Sequence, residues 1–97
     1  MKIRDYYKEY EVKVNKAKYP NGNLAIVLDC YDEEYGFWER YGNLTTNLDK
    51  KLPPNQAYVD TNNMPNAEDF ISENHLGEPT GEYGMSGFCF YPLYKFY

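Results

Sequence analysis

Apolar and polar residues alternate from Tyr10 to Asn15, with Tyr10, Val12 and Val14 on one side and Glu11, Lys13 and Asn15 on the other. A period of two predicts a half-buried strand, and the period can be followed back through Lys8 to Tyr6. "YPNGNL" follows. Pro20 presets a turn and Asn21-Gly22 suits positive φ, so this is the clearest hairpin in the chain. The next segment, "NLAIVLDCY", is apolar on both faces for most of its length and predicts a central strand with Cys30 in the core. "DEEYG" is a polar tip. "FWERYGNLTTNL" predicts a returning third strand, with Leu44, Thr46 and Leu48 in register and a bulge near Gly42. The double proline of "DKKLPPNQ" marks a loop, and "AYVDT" a short fourth strand.

One helix stands out, about ten residues long. Asn62 or Asn63 can cap it, Pro65 lies near its first turn, and Glu68 and Asp69 suit the positive end of its dipole. Ala67, Phe70 and Ile71 share a face, and Leu76-Gly77 supplies a glycine stop. Beyond it "TGEYGMSG" reads as irregular. "FCFYPLYKFY" is a last strand, with Phe88 and Phe90 opposite Cys89 and Pro92 breaking or edging it. The expected fold is α+β: an antiparallel sheet of four or five strands with one short helix packed across it. Residues 1–97 make a single domain, in which 1–9 is an extended or frayed segment.

Charge changes the picture by its distribution. The net charge of −5 argues against direct nucleic-acid binding or attraction to anionic lipid. The first eighteen residues carry six cations against three carboxylates, whereas no Lys or Arg occurs from Leu52 to Tyr94. That long segment holds Asp60, Glu68, Asp69, Glu73, Glu78 and Glu82, and a second acidic cluster, Asp29, Asp32, Glu33, Glu34 and Glu39, flanks Trp38 and precedes Arg40. An unbalanced acidic face steers toward a basic partner. The 12 Tyr and 5 Phe supply sheet packing, and they also allow an exposed aromatic face among Tyr6, Tyr7, Tyr10, Tyr35, Trp38, Tyr41, Tyr94 and Tyr97. A homodimer through that face is the alternative expectation. No apolar leader and no membrane-length apolar run is present, so the expected location is cytoplasmic.

Candidate chemistry is sparse. Four glycines between Gly77 and Gly87 suggest a phosphate loop, but no Lys-Ser/Thr follows the last one, and "GMSGF" mis-spaces a nucleophile elbow. The run reads instead as a chain turning closely against a sheet. His75, the single histidine, falls in the last helical turn with no nucleophile suitably placed, so no enzyme is expected. Zinc is the one conceivable cofactor, on Cys30, Cys89 and His75, although ligand spacing is lacking.

The stretches "YPNGNLAIVLDC", "LPPNQAYVDTNNMPNAEDFI" and "LGEPTGEYGMSGFCFYPLYKF" resemble a family of small domains of unknown function met in Gram-positive bacteria, their phages and conjugative elements. The resemblance spans roughly Tyr19 to Tyr97; "EEYGFWERY" looks like a local expansion outside its pattern. It implies accessory genes on mobile DNA, and it carries no catalytic residues with it. In that setting an acidic protein-binding protein that blocks the basic channel of a defence nuclease, of anti-CRISPR or anti-restriction type, is the sharpest expectation.

Overall fold

The computed structural model describes residues 1–97. It is α+β, with one short helix and two antiparallel four-stranded sheets rather than one sheet of four or five. The first sheet is a meander of β1 (Lys2–Asp5), β2 (Lys8–Lys18), β3 (Leu24–Asp32) and β4 (Phe37–Asn43). The second contains β5 (Thr45–Thr46), β6 (Gln56–Val59), β7 (Gly77–Ser86) and β8 (Cys89–Phe96), in the spatial order β5-β6-β8-β7. Helix α1 (Ala67–Glu73) connects β6 to β7 within the second sheet and lies against β1 of the first.

The alternation legible from Tyr10 to Asn15 buries Val12 and half-buries Tyr10 and Val14, while the hairpin at Tyr19–Asn23 turns on Gly22 at φ 90°. Central strand β3 lies between β2 and β4 and buries Ile26, Leu28 and Cys30 on one face. Residues 1–9, expected to be extended or frayed, supply β1, which is pinned by both ends of the helix. Asn66 Nδ2 donates to the Arg4 carbonyl at 2.9 Å, and Asn74 Nδ2 donates to the Lys2 carbonyl at 3.2 Å.

The single expected strand Phe37–Leu48 is divided because the chain changes sheets at Leu44. There Leu44 donates its N–H to the Ile26 carbonyl, and its own carbonyl accepts from Asp60 N–H across to the second sheet. Thr45 occupies the corner. Its buried hydroxyl accepts the Ile26 N–H at 3.0 Å and lies 2.9 Å from the Tyr19 hydroxyl, so the Ile26 N–H is not orphaned where the ladder breaks. The bulge expected near Gly42 is present: Leu28 faces Gly42, Asp29 faces Arg40, and Tyr41 is the extra residue.

One core joins the layers. Ile3, Val12, Ile26, Leu28, Leu44, Val59, Phe70, Ile71, Tyr94 and Phe96 pack together, so Ala67, Phe70 and Ile71 face inward as their spacing predicts. A smaller cluster of Leu52, Tyr58 and Leu93 covers the other side of the second sheet beneath the proline loop. Buried Asn23 fastens that loop by accepting the Leu52 N–H at 2.9 Å and donating to the Lys50 carbonyl at 2.8 Å.

Three local expectations are corrected. The helix is seven residues long and begins after Asn66, not at a cap made by Asn62 or Asn63. It ends before glycine is reached: His75, at φ 53°, takes the left-handed position. His75 N–H bonds Ser72 O at 3.3 Å and Leu76 N–H bonds Ile71 O at 3.0 Å, the paired closure of a Schellman stop. A side chain in that conformation costs about 1 kcal/mol relative to glycine. His75→Gly is therefore expected to raise the melting temperature by about 4–8 °C per kcal/mol recovered, which calorimetry would read directly. Finally, Pro92 lies within β8, a strand flanked on both sides. It is tolerated because the β6 ladder ends at the Tyr58–Leu93 pair, so nothing there requires an N–H from residue 92.

Candidate functional site

The glycine run is a strand and a turn, not a cradle. "TGEYGMS", expected to be irregular, belongs to β7, which pairs with β8 and is interrupted between Pro79 and Tyr83. At that bulge Gly81 has φ 90°, and Thr80 fills the gap by donating its hydroxyl to the Leu93 carbonyl at 2.9 Å. Gly87 and Phe88 form a two-residue turn between paired Ser86 and Cys89, and Gly87 alone has positive φ, the II′ arrangement. A Cβ on Gly84 would stand 2.6 Å from the Tyr58 ring and from Leu48, so the aromatic side chain occupies the space above that glycine.

Cys30, Cys89 and His75 are not brought together. They sit in the core of the first sheet, beside the β7–β8 turn and at the end of α1, and no three His, Cys, Asp or Glu side chains cluster with metal-binding geometry. Burial, reinforced by the neighbouring Glu39 carboxylate, pushes the Cys30 thiol above its usual pKa. That environment opposes the thiolate that metal ligation requires.

The expected acidic residues separate into three places. Asp69 and Glu73 on α1 line an open cleft of about 880 Å³ between the helix and the β1 and β4 edges, together with Asp5, Tyr41, Asn43 and Asn63. Asp60 touches the same cleft, but it is buried and its carboxylate is committed to the turn before the helix. Its Oδ1 accepts the Asn63 N–H at 3.2 Å and its Oδ2 accepts from Asn63 Nδ2 at 3.0 Å. Glu68 is exposed and accepts the Tyr94 hydroxyl at 2.8 Å. Glu78 and Glu82 lie on β7. Asp32, Glu33, Glu34 and Trp38 belong to the β3–β4 hairpin tip. Asp32 shapes that tip by accepting the N–H groups of Glu34 and Tyr35 at 2.9 and 3.1 Å. Trp38 stacks edge-on against Tyr31 at 5.3 Å, with the Lys13 ammonium 4.5 Å from its ring centre.

Charge pairing divides the molecule. Its four ion pairs join the N-terminus and Lys2 to Glu11, Arg4 to Glu9, and Arg40 to Asp29. The ammonium groups of the N-terminus and Lys2 hold the Glu11 carboxyl below the usual carboxylate range. No carboxylate of α1 or β7 is ion-paired.

Aromatic exposure differs from expectation. Tyr94 is buried and Tyr10 and Tyr41 are half-buried, their rings 5.7 Å apart and tilted by 55°. Tyr6, Tyr7, Tyr35, Trp38 and Tyr97 are exposed as expected. Unanticipated are Tyr83, Met85, Phe88 and Phe90, all open to solvent on the β7–β8 hairpin. Phe90, Pro92, Tyr94 and Phe96 share one face of β8, but only Tyr94 and Phe96 join the core.

Burial and the Glu68 carboxylate together raise the Tyr94 hydroxyl well above its ordinary 10.0. A raised folded-state pKa leaves its stabilising contribution intact below the unfolded value and removes it as pH rises toward the folded one. Stability is therefore expected to fall above about pH 10 as the unfolded chain gains phenolate. Tyr94→Phe should flatten that decline while losing about 1 kcal/mol at neutral pH, as urea melts across pH would show.

No helix is long and apolar enough to cross a membrane. No curated protein and no solved structure matches the chain significantly. A family model described as a domain of unknown function (DUF4313) fits residues 7–97, and the chain belongs to that family.

Proposed function

We propose that this protein is a non-enzymatic binding module that presents an acidic helix face to a basic protein partner. In its sharpest form the partner is a host defence nuclease, and the protein, encoded by a phage or other mobile element and acting in the cytoplasm, occupies the nuclease's nucleic-acid channel as an anti-CRISPR or anti-restriction inhibitor. One observation carries the reading: Glu68, Asp69 and Glu73 project from one short helix, are exposed, and have no cation paired with them. Unpaired surface carboxylates keep their full field for a partner, which raises the encounter rate and sets orientation. The adjoining cleft, with Asp5 and the amides of Asn43 and Asn63, offers acceptors for Lys or Arg side chains inserted beside the helix, and Arg4, which also lines it, is committed to Glu9.

The test is an in vitro cleavage panel of Cas9-type and restriction nucleases incubated with the purified protein, together with gel filtration of each mixture. Inhibition with a co-eluting complex, weakened by added salt, is the expected result. Full cleavage throughout the panel with no complex would remove the nuclease assignment.

A further inference from the structure

The two sheets present four edges, and three are protected. The carbonyls of β1 are covered by Asn66 and Asn74, β4 is bulged at Tyr41 and carries Glu39 and Arg40, and β5 is only two residues long. The fourth edge is β7. Its first half is blunted by Pro79 and the bulge, but Tyr83–Ser86 has no charge, no proline and no covering element.

Pairing geometry fixes what that segment offers. The two-residue turn makes Ser86–Cys89 a hydrogen-bonded pair, so alternation makes Gly84–Tyr91 one as well. Tyr83 and Met85 then direct their N–H and C=O groups away from β8, toward the open edge.

We propose that this edge pairs with the same edge of a second copy, antiparallel about a two-fold axis through Gly84. In that register Tyr83 of each copy faces Met85 of the other, and both residues have outward-pointing groups, so four inter-copy hydrogen bonds form. Glu82 faces Ser86 and not another carboxylate, so the acidic chains avoid a like-charge pair at the contact. Gly84 meets its own copy at the centre, where small residues allow close approach. The sheets merge, and Tyr83, Met85 and Phe90, each more than 60% exposed in the single chain, become a continuous apolar surface in the pair. Of these only Tyr83 and Met85 meet their counterparts across the axis, so the area buried per copy falls well below the roughly 800 Å² of a standard interface. The dimer is accordingly weak and reversible.

Sedimentation velocity from about 10 to 1000 µM should show a monomer passing into a dimer. Hydrogen exchange over the same range should slow the Tyr83 and Met85 amides by at least about ten-fold. Met85→Lys, which places cations beside the axis, should weaken the dimer by ten-fold or more, while Trp38→Ala on the other hairpin leaves it unchanged. Circular dichroism of both variants confirms the fold. A monomer at every concentration overturns the proposal, as does a dimer that survives Met85→Lys or leaves these two amides unprotected.

Discussion

Phe70→Ala is expected to destabilise the fold by about 3–5 kcal/mol, the largest effect of any single truncation here. Phe70 is 2% exposed and is the largest of the fully buried side chains. It lies in the cluster that unites β1, β2, β3, β6 and β8 with the helix, so no single neighbour can move to refill its space. A seven-residue helix has little intrinsic stability, and its place depends on what Phe70 and Ile71 bury. Against a total of about 5–15 kcal/mol for a domain of this size, the loss removes a large part of the margin. Urea melts should show the midpoint falling sharply with little change in slope. Exposed Ser72→Ala, on the same helix, should stay within about 0.5 kcal/mol.

Gly77→Ala is expected to cost about 1–3 kcal/mol although it adds a single methyl group. The new Cβ would stand 2.6 Å from the Lys95 carbonyl oxygen and 3.1 Å from Phe96 Cα. Both obstacles are backbone of β8, which is held by β6 on one side and β7 on the other, so relief requires a strand to shift. Elsewhere a Gly-to-Ala change at a compatible position stabilises by about 0.4–1 kcal/mol. A neutral or stabilising result in thermal melts would contradict the close strand approach assigned to this end of the glycine run.

Much of the first sheet was legible because its signals are local. Alternation sets the faces of β2 and β3, and Asn21-Gly22 marks their hairpin without need of any long-range contact. The sheet break at Leu44 and Thr45 was not legible, since both residues fit a continued strand and the corner depends on bonds to Ile26, Tyr19 and Asp60. Strand β7 was hidden for another reason. Gly77, Pro79, Gly81 and Gly84 erase alternation, and the strand forms because β8 supplies a partner and Tyr58 fills the space above Gly84. The stop at His75 has no local signal, because a left-handed stop usually takes glycine and Gly77 lies close by.

For the candidate site, helix spacing placed Glu68, Asp69 and Glu73 outside as soon as Phe70 and Ile71 were inside. Composition could not show that Asp60 is consumed by a turn, or that Asp5 from the far end of the chain reaches the same cleft. The first is a local bond of Asp60 to Asn63 that composition does not encode, and the second depends on β1 docking at the helix ends.

The most direct test of the acidic-face account compares wild type with Glu68→Gln/Asp69→Asn/Glu73→Gln in the nuclease inhibition assay. The amides keep the shape, and Gln at 68 still accepts the Tyr94 hydroxyl, so melting temperature serves as the control for folding. With the fold intact, the account expects inhibition to weaken at least ten-fold, equivalent to about 1.4 kcal/mol of binding. Equal potency of the two proteins would contradict it.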